Sequence, residues 1–538
     1  MDFSMYIIKN ILRFVCISAI LTGCSGTHNR WYTEYDKASV STPASLQYGS
    51  FSSGMYGTDS TQSIAVLLPT SGPNANIGKS IRPAIEAAAM QFASNGTRMD
   101  FYDTGSGDVT QTIRTAVASN PGVIIGPVFA QNARILRDIK PADMPALAFT
   151  SDISAVGDGV FSMSLVPTNT IETTIQEMRA RGGNQFIIIA PDNTSGRTMA
   201  GAAKSMTGTY NIKNTGVFYY NEHDTESIKS TAMAAAMYTA RNAANTRAKE
   251  ILSDILNHEN LSASERSNIS KQLENISRTD TLGALPYDSI LFLGSGDDTK
   301  SLVSFLRYYG LGTRDAGFYG TPLWEDGDIS SDVAMTGAVF ATLPEIPAEF
   351  SNIYEGATGT PALRMAAMGY DATILALGAI RAKDYAASYL MNQSGYIGIN
   401  GLFRLRPSGS NERALQILRI NGDGTTTTVK KAATNFTVPI YTTATNYISP
   451  AEPMALAGSG VNPLNYITIP ERLRGKYRSK TYGANHSIAT NANTDSAFSS
   501  VTVLPANDNE FSITAENYNP VPLENVSRTY IDSVEISE

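Results

Sequence analysis

Cysteine is nearly absent from this chain: Cys16 and Cys24 are the two in 538 residues. No pair is left over to staple anything beyond residue 24, so the folded part must stand on an apolar core rather than on disulfides. Histidine is scarce too. His28, His223, His258 and His486 are scattered without metal-ligand spacing, so no metal site and no metal cofactor is expected. The serine of Gly294-Ser-Gly296 lacks the Gly-x-Ser-x-Gly frame of a nucleophile elbow, and no other catalytic constellation emerges. Excess positive charge is missing: the formal net charge is -8, which supplies no field for nucleic acid. No stretch reaches 18 consecutive apolar residues, so none reads as a spanning helix.

The N-terminus is informative. Lys9 and Arg13 precede a short apolar run over residues 14–21, too short to span a bilayer. An ordinary secretory signal would end in a small-x-small cleavage site. This one ends in Leu21-Thr-Gly-Cys24, which resembles the lipobox of bacterial lipoproteins. The resemblance implies a signal peptide over 1–23, removed together with Cys16, and a covalent lipid on Cys24 that anchors the chain to a membrane. The thiolate of Cys24 is the nucleophile that such chemistry requires. Ser25, where an Asp would favour the inner membrane, implies the outer membrane with the chain facing the periplasm.

Residues 24–62 are rich in Ser, Thr, Gly and Tyr without a period and read as a flexible tether. At Ser63 the texture changes. Ile64-Ala-Val-Leu-Leu68 is a continuous apolar run of the kind buried on both faces of a parallel sheet. Ile77, Ile81, Ile85, Ala89 and Phe92 then recur at helical spacing, and strand-like and helix-like segments alternate to Phe149. The pattern restarts near Val166-Pro167, with strands expected at 186–189, 217–220, 290–293 and 339–341. This predicts an α/β fold of two lobes facing a cleft, each a doubly wound, mostly parallel sheet. The expected map puts lobe 1 at about 63–166 and 344–400, and lobe 2 at about 167–343 and 401–435. A strong helix over 364–380 returns to lobe 1, and 402–405 with 415–420 closes lobe 2 as a strand pair.

Residues 222–278 exceed what one crossover needs. Helices over 240–256 and 262–276 are expected, the second opened by the capping box Ser262-Ala-Ser-Glu265. Their thin apolar seam fits either an ordinary lobe helix with an extension or a projecting hairpin that docks a partner. Residues 436–538 lose periodicity and read as a low-complexity, disordered tail. Within it Arg472, Arg474, Lys476, Arg478 and Lys480 form a basic stretch. Such runs are solvated charge or a contact for an acidic partner or anionic wall polymer.

Gly72-Pro-Asn-Ala-Asn-Ile-Gly78-Lys-Ser80 sits where a phosphate loop would sit, but five residues separate its glycines instead of four. The extra residue disturbs the run of amides that cradles phosphate. Asp297-Asp298 is expected to cap a helix over 301–309. Thr150-Ser151 ends a strand at the cleft, and Ser71-Gly72 opens the first turn, so these four are the expected ligand contacts if the cleft takes a small molecule.

Ile64-Ala-Val-Leu-Leu-Pro-Thr-Ser-Gly-Pro73 followed by Gly78 is similar to the opening of the branched-chain amino-acid receptors, the type I periplasmic-binding proteins of leucine-binding type. More narrowly, it resembles the penicillin-binding protein activators, outer-membrane lipoproteins with such a domain. Tyr102-Asp-Thr104, Ile124-Ile-Gly-Pro-Val128, Gly310, Gly320-Thr-Pro-Leu-Trp324, Gly369-Tyr-Asp-Ala372, Gly401-Leu-Phe-Arg-Leu405 and Arg413 continue the match over about 63–429. The resemblance implies a non-catalytic protein of the cell envelope whose partner is a bifunctional penicillin-binding protein in peptidoglycan biosynthesis. Val128 and Phe129 stand where the receptors tend to carry Ser or Thr, which weakens the receptor reading. Thr150 and Ser151 sustain it: a lipid-anchored solute receptor of an ABC transporter for an amino acid, amide or short peptide. The activators usually carry a helical-repeat domain ahead of this one, and here only the short tether precedes it.

Overall fold

The computed structural model describes residues 44–45, 63–94, 96–325, 327–383, 386–436 and 461–482. Residues 1–43, and with them Cys24 and the signal peptide, lie outside the described residues.

In chain order the first part holds β1 (Ala44–Ser45), β2 (Ser63–Leu68), α1 (Ala75–Phe92), β3 (Arg98–Asp103), α2 (Val109–Ala118), β4 (Val123–Ile125), α3 (Ala130–Ile139), β5 (Ala146–Ala148) and β6 (Val160–Ser162). β2 to β6 form a five-stranded parallel sheet in the order β3-β2-β4-β5-β6. The continuous apolar run of β2 is explained by its two faces. Ile64, Val66 and Leu68 enter one core layer, and Ala65 and Leu67 enter the layer on the opposite side.

The second part holds α4 (Pro167–Ala180), β7 (Gln185–Pro191), α5 (Thr194–Ser205), α6 (Thr207–Tyr210), β8 (Lys213–Tyr220), α7 (Thr225–Ala235), α8 (Tyr238–His258), α9 (Ala263–Ser277), β9 (Ser289–Phe292), α10 (Gly296–Tyr308), β10 (Gly317–Gly320), α11 (Gly327–Ser330) and β11 (Val339–Thr342). The chain then returns to the first lobe as α12 (Ala348–Thr358), α13 (Arg364–Ala382) and α14 (Ala386–Leu390). It continues through β12 (Tyr396–Gly398), β13 (Gly401–Leu405) and β14 (Asn411–Arg413), and ends the domain with β15 (Gln416–Ile420) and β16 (Thr426–Lys430). The second sheet runs β16-β15-β11-β10-β9-β7-β8, parallel except where β15 and β16 join antiparallel. Rings of Phe292, Phe318, Trp324 and Phe340 fill one side of it, with centroids 5.1 to 6.2 Å apart.

The structure departs from the sequence reading in four places. First, residues 401–405 do not pair with 416–420. β13 lies in a separate four-stranded sheet, β1-β12-β13-β14, and only β15 enters lobe 2. Both segments are five-residue runs of mixed apolar and polar residues with an Arg at the fourth position, and nothing local says which partner each takes. Second, the tether is not free throughout, because Ala44 and Ser45 pair with Tyr396 and Ile397 in that small sheet. Third, α10 begins at Gly296, so Asp297 and Asp298 lie in its first turn, where they complement the helix dipole. The N-cap is Ser295.

The fourth departure is the largest. Residues 461–482 are not an unstructured tail. A turn at Pro463–Asn465 leads into α15 (Glu471–Tyr482), and the whole segment lies on the 222–278 insertion. Leu464, Ile467, Ile469, Leu473 and Tyr477 bury themselves against Ala248, Ile251, Leu252 and Ile255 of α8 and Ile269 of α9. The thin seam on the hairpin is thin because a third strip of chain completes it. The capping box at the start of α9 is present as expected.

Candidate functional site

The chain passes between the two large sheets at 163–166 and, through 343–347, back toward lobe 1, and it passes from the small sheet into lobe 2 at 414–415. The first two passages leave from the carboxyl ends of β6 and β11, so the carboxyl ends of both parallel sheets face each other. In open α/β sheets this is the side where ligands sit. Lobe 1 contributes the loops after β2, β3, β4 and β5, and lobe 2 those after β7, β8, β9 and β10.

In lobe 1 the expected contacts Ser71 and Gly72 belong to an internal cluster around Asp103. The Asp103 carboxylate accepts the backbone N–H groups of Thr70 at 2.8 Å, Ser71 at 3.2 Å and Gly105 at 2.8 Å. It also accepts the hydroxyls of Ser71 and, at 3.4 Å, Ser106. Burial pushes the Asp103 carboxyl up, but the Ser71 hydroxyl and the three amides outweigh that and hold it well below the usual carboxylate range. The loops meet backbone to backbone: a Cβ on Gly105 would come within 1.9 Å of the Ser71 carbonyl oxygen. Gly72 has φ +71°, and a Cβ there would lie 2.3 Å from the Gly105 oxygen. Its place is set by that approach.

Thr150 is buried. Its hydroxyl accepts the Asp152 N–H at 3.1 Å, and its carbonyl accepts the Ser162 hydroxyl at 2.6 Å. Ser151 follows, half-buried, in the same loop. Val128 is buried and Phe129 leans on the same core layer, so the bulk at 128–129 is packed inward as part of lobe 1.

In lobe 2, Asn193 accepts the Gly196 N–H to cap α5 and donates to Glu222 at 2.7 Å. Arg197 pairs with Asp192 at 2.5 Å and lies 4.7 Å over the Tyr219 ring. Asp298 accepts the His223 N–H at 3.1 Å. Two strand-end hydroxyls, Thr104 in lobe 1 and Thr321 in lobe 2, are buried without a hydrogen-bond partner. The lobes are tied at the second passage, where Glu325 takes the Thr342 hydroxyl at 2.6 Å and the Arg364 guanidinium of α13 at 2.8 Å.

A buried charge pair sits beside the passages. Asp371 of α13 accepts the Ile399 N–H at 2.9 Å, and a Cβ on Gly398 would lie 2.3 Å from its other oxygen. Arg413 of β14 donates to the Met163 carbonyl and lies 4.7 Å over the Phe403 ring. Burial pushes the Asp371 carboxyl up to about 7 and the Arg413 guanidinium down to about 10, each opposed by the other's charge. Asp371 and Arg413 carry the family-like motifs of the sequence but were not expected site residues. A lone acid inside the apolar stripe of 364–380 is the signal that singles out Asp371.

The basic stretch is partly spoken for. Arg472 forms a two-pronged contact with Glu265, and Lys476 pairs with Glu259. The Arg472 hydrogen bonds pull Glu265 down to about 2. Arg474 and Arg478 are exposed on the same helix; the Lys480 side chain lies outside the described residues. Among the described residues no cluster of three His, Cys, Asp or Glu could hold a metal ion, and no helix is long and apolar enough to cross a membrane.

Residues 61–425 match the family model described as periplasmic binding protein. The chain belongs to that family. Among curated relatives it is similar to the penicillin-binding protein activator LpoA of Mannheimia succiniciproducens, with 26% identity over 173 residues. That stretch is 31% of this chain and 30% of the activator, so the chain aligns with under a third of that protein's length. It supports the likeness to the activators seen in the sequence. Among solved periplasmic binding proteins, a putative branched-chain amino acid ABC transporter protein from Rhodospirillum rubrum superimposes with a TM-score of 0.51 at 16% identity. It covers 69% of this chain and all of that one, and shows the two-lobed fold. The C-domain of LpoA from Haemophilus influenzae, a regulator of PBP1A, gives 0.46 at 17% identity over 68% of this chain and all of that one.

Proposed function

We propose that this periplasmic binding protein is a non-catalytic, lipid-anchored regulator that contacts a bifunctional penicillin-binding protein from the outer membrane, with no cofactor beyond the lipid on Cys24. The observation that carries the reading is the state of the lobe 1 donors. An amino-acid receptor needs hydroxyl and amide donors turned toward a ligand carboxylate. Here the Ser71 hydroxyl and the amides of Thr70, Ser71 and Gly105 are spent on the chain's own Asp103. The Thr150 hydroxyl is engaged by the Asp152 amide. The likeness to LpoA supports the same reading, since that relative is by name an activator of a penicillin-binding protein. A protein that regulates without catalysis acts through surface contact.

A second reading, the solute receptor of an ABC transporter, is favoured by the unpartnered hydroxyls of Thr104 and Thr321 on facing strand ends. In-cell crosslinking of the full chain separates the two. Recovery of a bifunctional penicillin-binding protein is the expected result. Recovery of an ABC permease without a wall synthase, together with a thermal shift produced by one amino acid, overturns it. A ligand at one hundred times its Kd stabilises by about 2.7 kcal/mol, enough to see in such a screen.

A further inference from the structure

The first two passages between the lobes are held by different means. At the first, the carbonyls of Ser162 and Ser164 accept the Asn411 side-chain amide at 2.9 and 2.6 Å, and the Met163 carbonyl accepts Arg413. Asn411 and Arg413 are both buried, so these ties are shielded from water and salt. At the second, the tie lies nearer the surface. Arg364 of α13 donates to Glu325 at 2.8 Å, to the Leu343 carbonyl at 3.3 Å and to the Pro344 carbonyl. The buried Asn400 donates to the Arg364 carbonyl at 3.0 Å and fixes the root of that side chain. From lobe 2, Gln416 donates to the same Leu343 carbonyl at 3.1 Å, and Thr342 steadies Glu325 through its hydroxyl. Arg364 and Glu325 keep 28% and 35% of their side-chain surface exposed.

Arg364 is also out of place by local rules. It opens a 19-residue helix, at the end where the dipole is positive and a cation is disfavoured. The first turn of α13 carries no acidic residue, and Leu363 at the N-cap supplies no side-chain hydrogen bond. The acid that this helix end lacks comes from lobe 2, as Glu325. We propose that the Glu325–Arg364 pair is a releasable latch across the second passage, which sets the angle between the lobes. While it holds, the lobes keep their present arrangement. When it parts, lobe 2 turns about the buried ties of the first passage. The latch is the point that yields, because a partly exposed ion pair favours the joined state by only up to about fivefold and is screened by salt. It acts between the lobes alone, whichever partner they serve.

Pulsed electron-spin resonance on the full chain reads the angle as a distance. Spin labels go at Met90 of lobe 1 and Tyr308 of lobe 2, which are 87% and 76% exposed, on unnatural side chains that leave both cysteines untouched. Wild type at low salt is expected to show one dominant distance. Glu325→Gln and Arg364→Met should each raise the population of a second distance by about two- to fivefold, the range that a pair of this exposure allows. About 1 M salt, where charges are screened beyond about 3 Å, should move wild type the same way and leave Arg364→Met where it is. The salt arm needs no variant, so a misfolded variant does not blunt the test. An unchanged distribution in wild type at both salts and in Glu325→Gln overturns the latch. So does a second distance that salt populates equally in wild type and in Arg364→Met, because the screened charges would then lie elsewhere.

Discussion

Asp371 and Arg413 are both buried, both ionisable, and held on different elements with no hydrogen bond between them. Asp371 keeps one oxygen unpartnered, and Arg413 keeps its Nε and one Nη unpartnered. They lie where α13 meets the small sheet beside the passages between lobes. The pair is held by its surroundings: the Ile399 amide, the Met163 carbonyl and the Phe403 ring.

The pair makes stability depend on pH in a defined direction. Burial raises the Asp371 carboxyl from its ordinary 3.8 to about 7. Between those values the folded chain holds a proton that the unfolded chain has released, so this group's contribution falls as pH rises from about 4 to 7 and is level above that. Asp371→Asn removes the proton exchange. The difference in Tm between Asp371→Asn and wild type should therefore move in the variant's favour across that window, as measured by thermal melts from pH 4 to 8. A constant difference would show that Asp371 does not titrate there.

Asp103 behaves in the opposite sense. Its carboxyl is held far below 3.8, so its contribution is complete above the unfolded value and is lost only as pH falls through strong acid. Asp103→Ala leaves three amides and the Ser71 hydroxyl without their acceptor. A loss of about 1–3 kcal/mol in urea unfolding is expected for the carboxylate, and about 1 kcal/mol for Ser71→Ala. A neutral Asp103→Ala would mean that water replaces the carboxylate freely.

Truncation distinguishes the two parts of the tail. A chain ending after residue 482 should melt like the full chain. A chain ending after residue 436 uncovers Ile251, Leu252, Ile255 and Ile269, so limited proteolysis should cut first within 238–278. Equal protease resistance of the hairpin in both chains would contradict the docking of 461–482.

Cys24→Ala tests the anchor. The variant should accumulate as an unprocessed precursor in the inner membrane, read by its mass and by fractionation. Maturation and outer-membrane fractionation of Cys24→Ala would refute lipidation at this residue.

By itself the sequence determined the α/β class, two lobes and the helix capping box at Ser262. These follow from local rules: apolar runs too continuous for one-sided strands, helical stripes between them, and a cap whose two hydrogen bonds span four residues. The strand ends that carry Ser71 and Thr150 were legible by position, because strand ends can be counted, while the hydrogen-bond partners of those side chains were not. Ser71 looked like a ligand donor until the fold brought Asp103, 32 residues away, against it. The same holds at the two ends of the domain. β13 and β15 have equivalent local patterns, and only the tertiary arrangement assigns one to the small sheet and one to lobe 2. Residues 461–482 are too polar to fold alone, so composition placed them in a tail. What orders them is a hairpin about 200 residues earlier, through Arg472 on Glu265 and Tyr477 on Asp254, contacts 207 and 223 residues apart in sequence that no local pattern encodes.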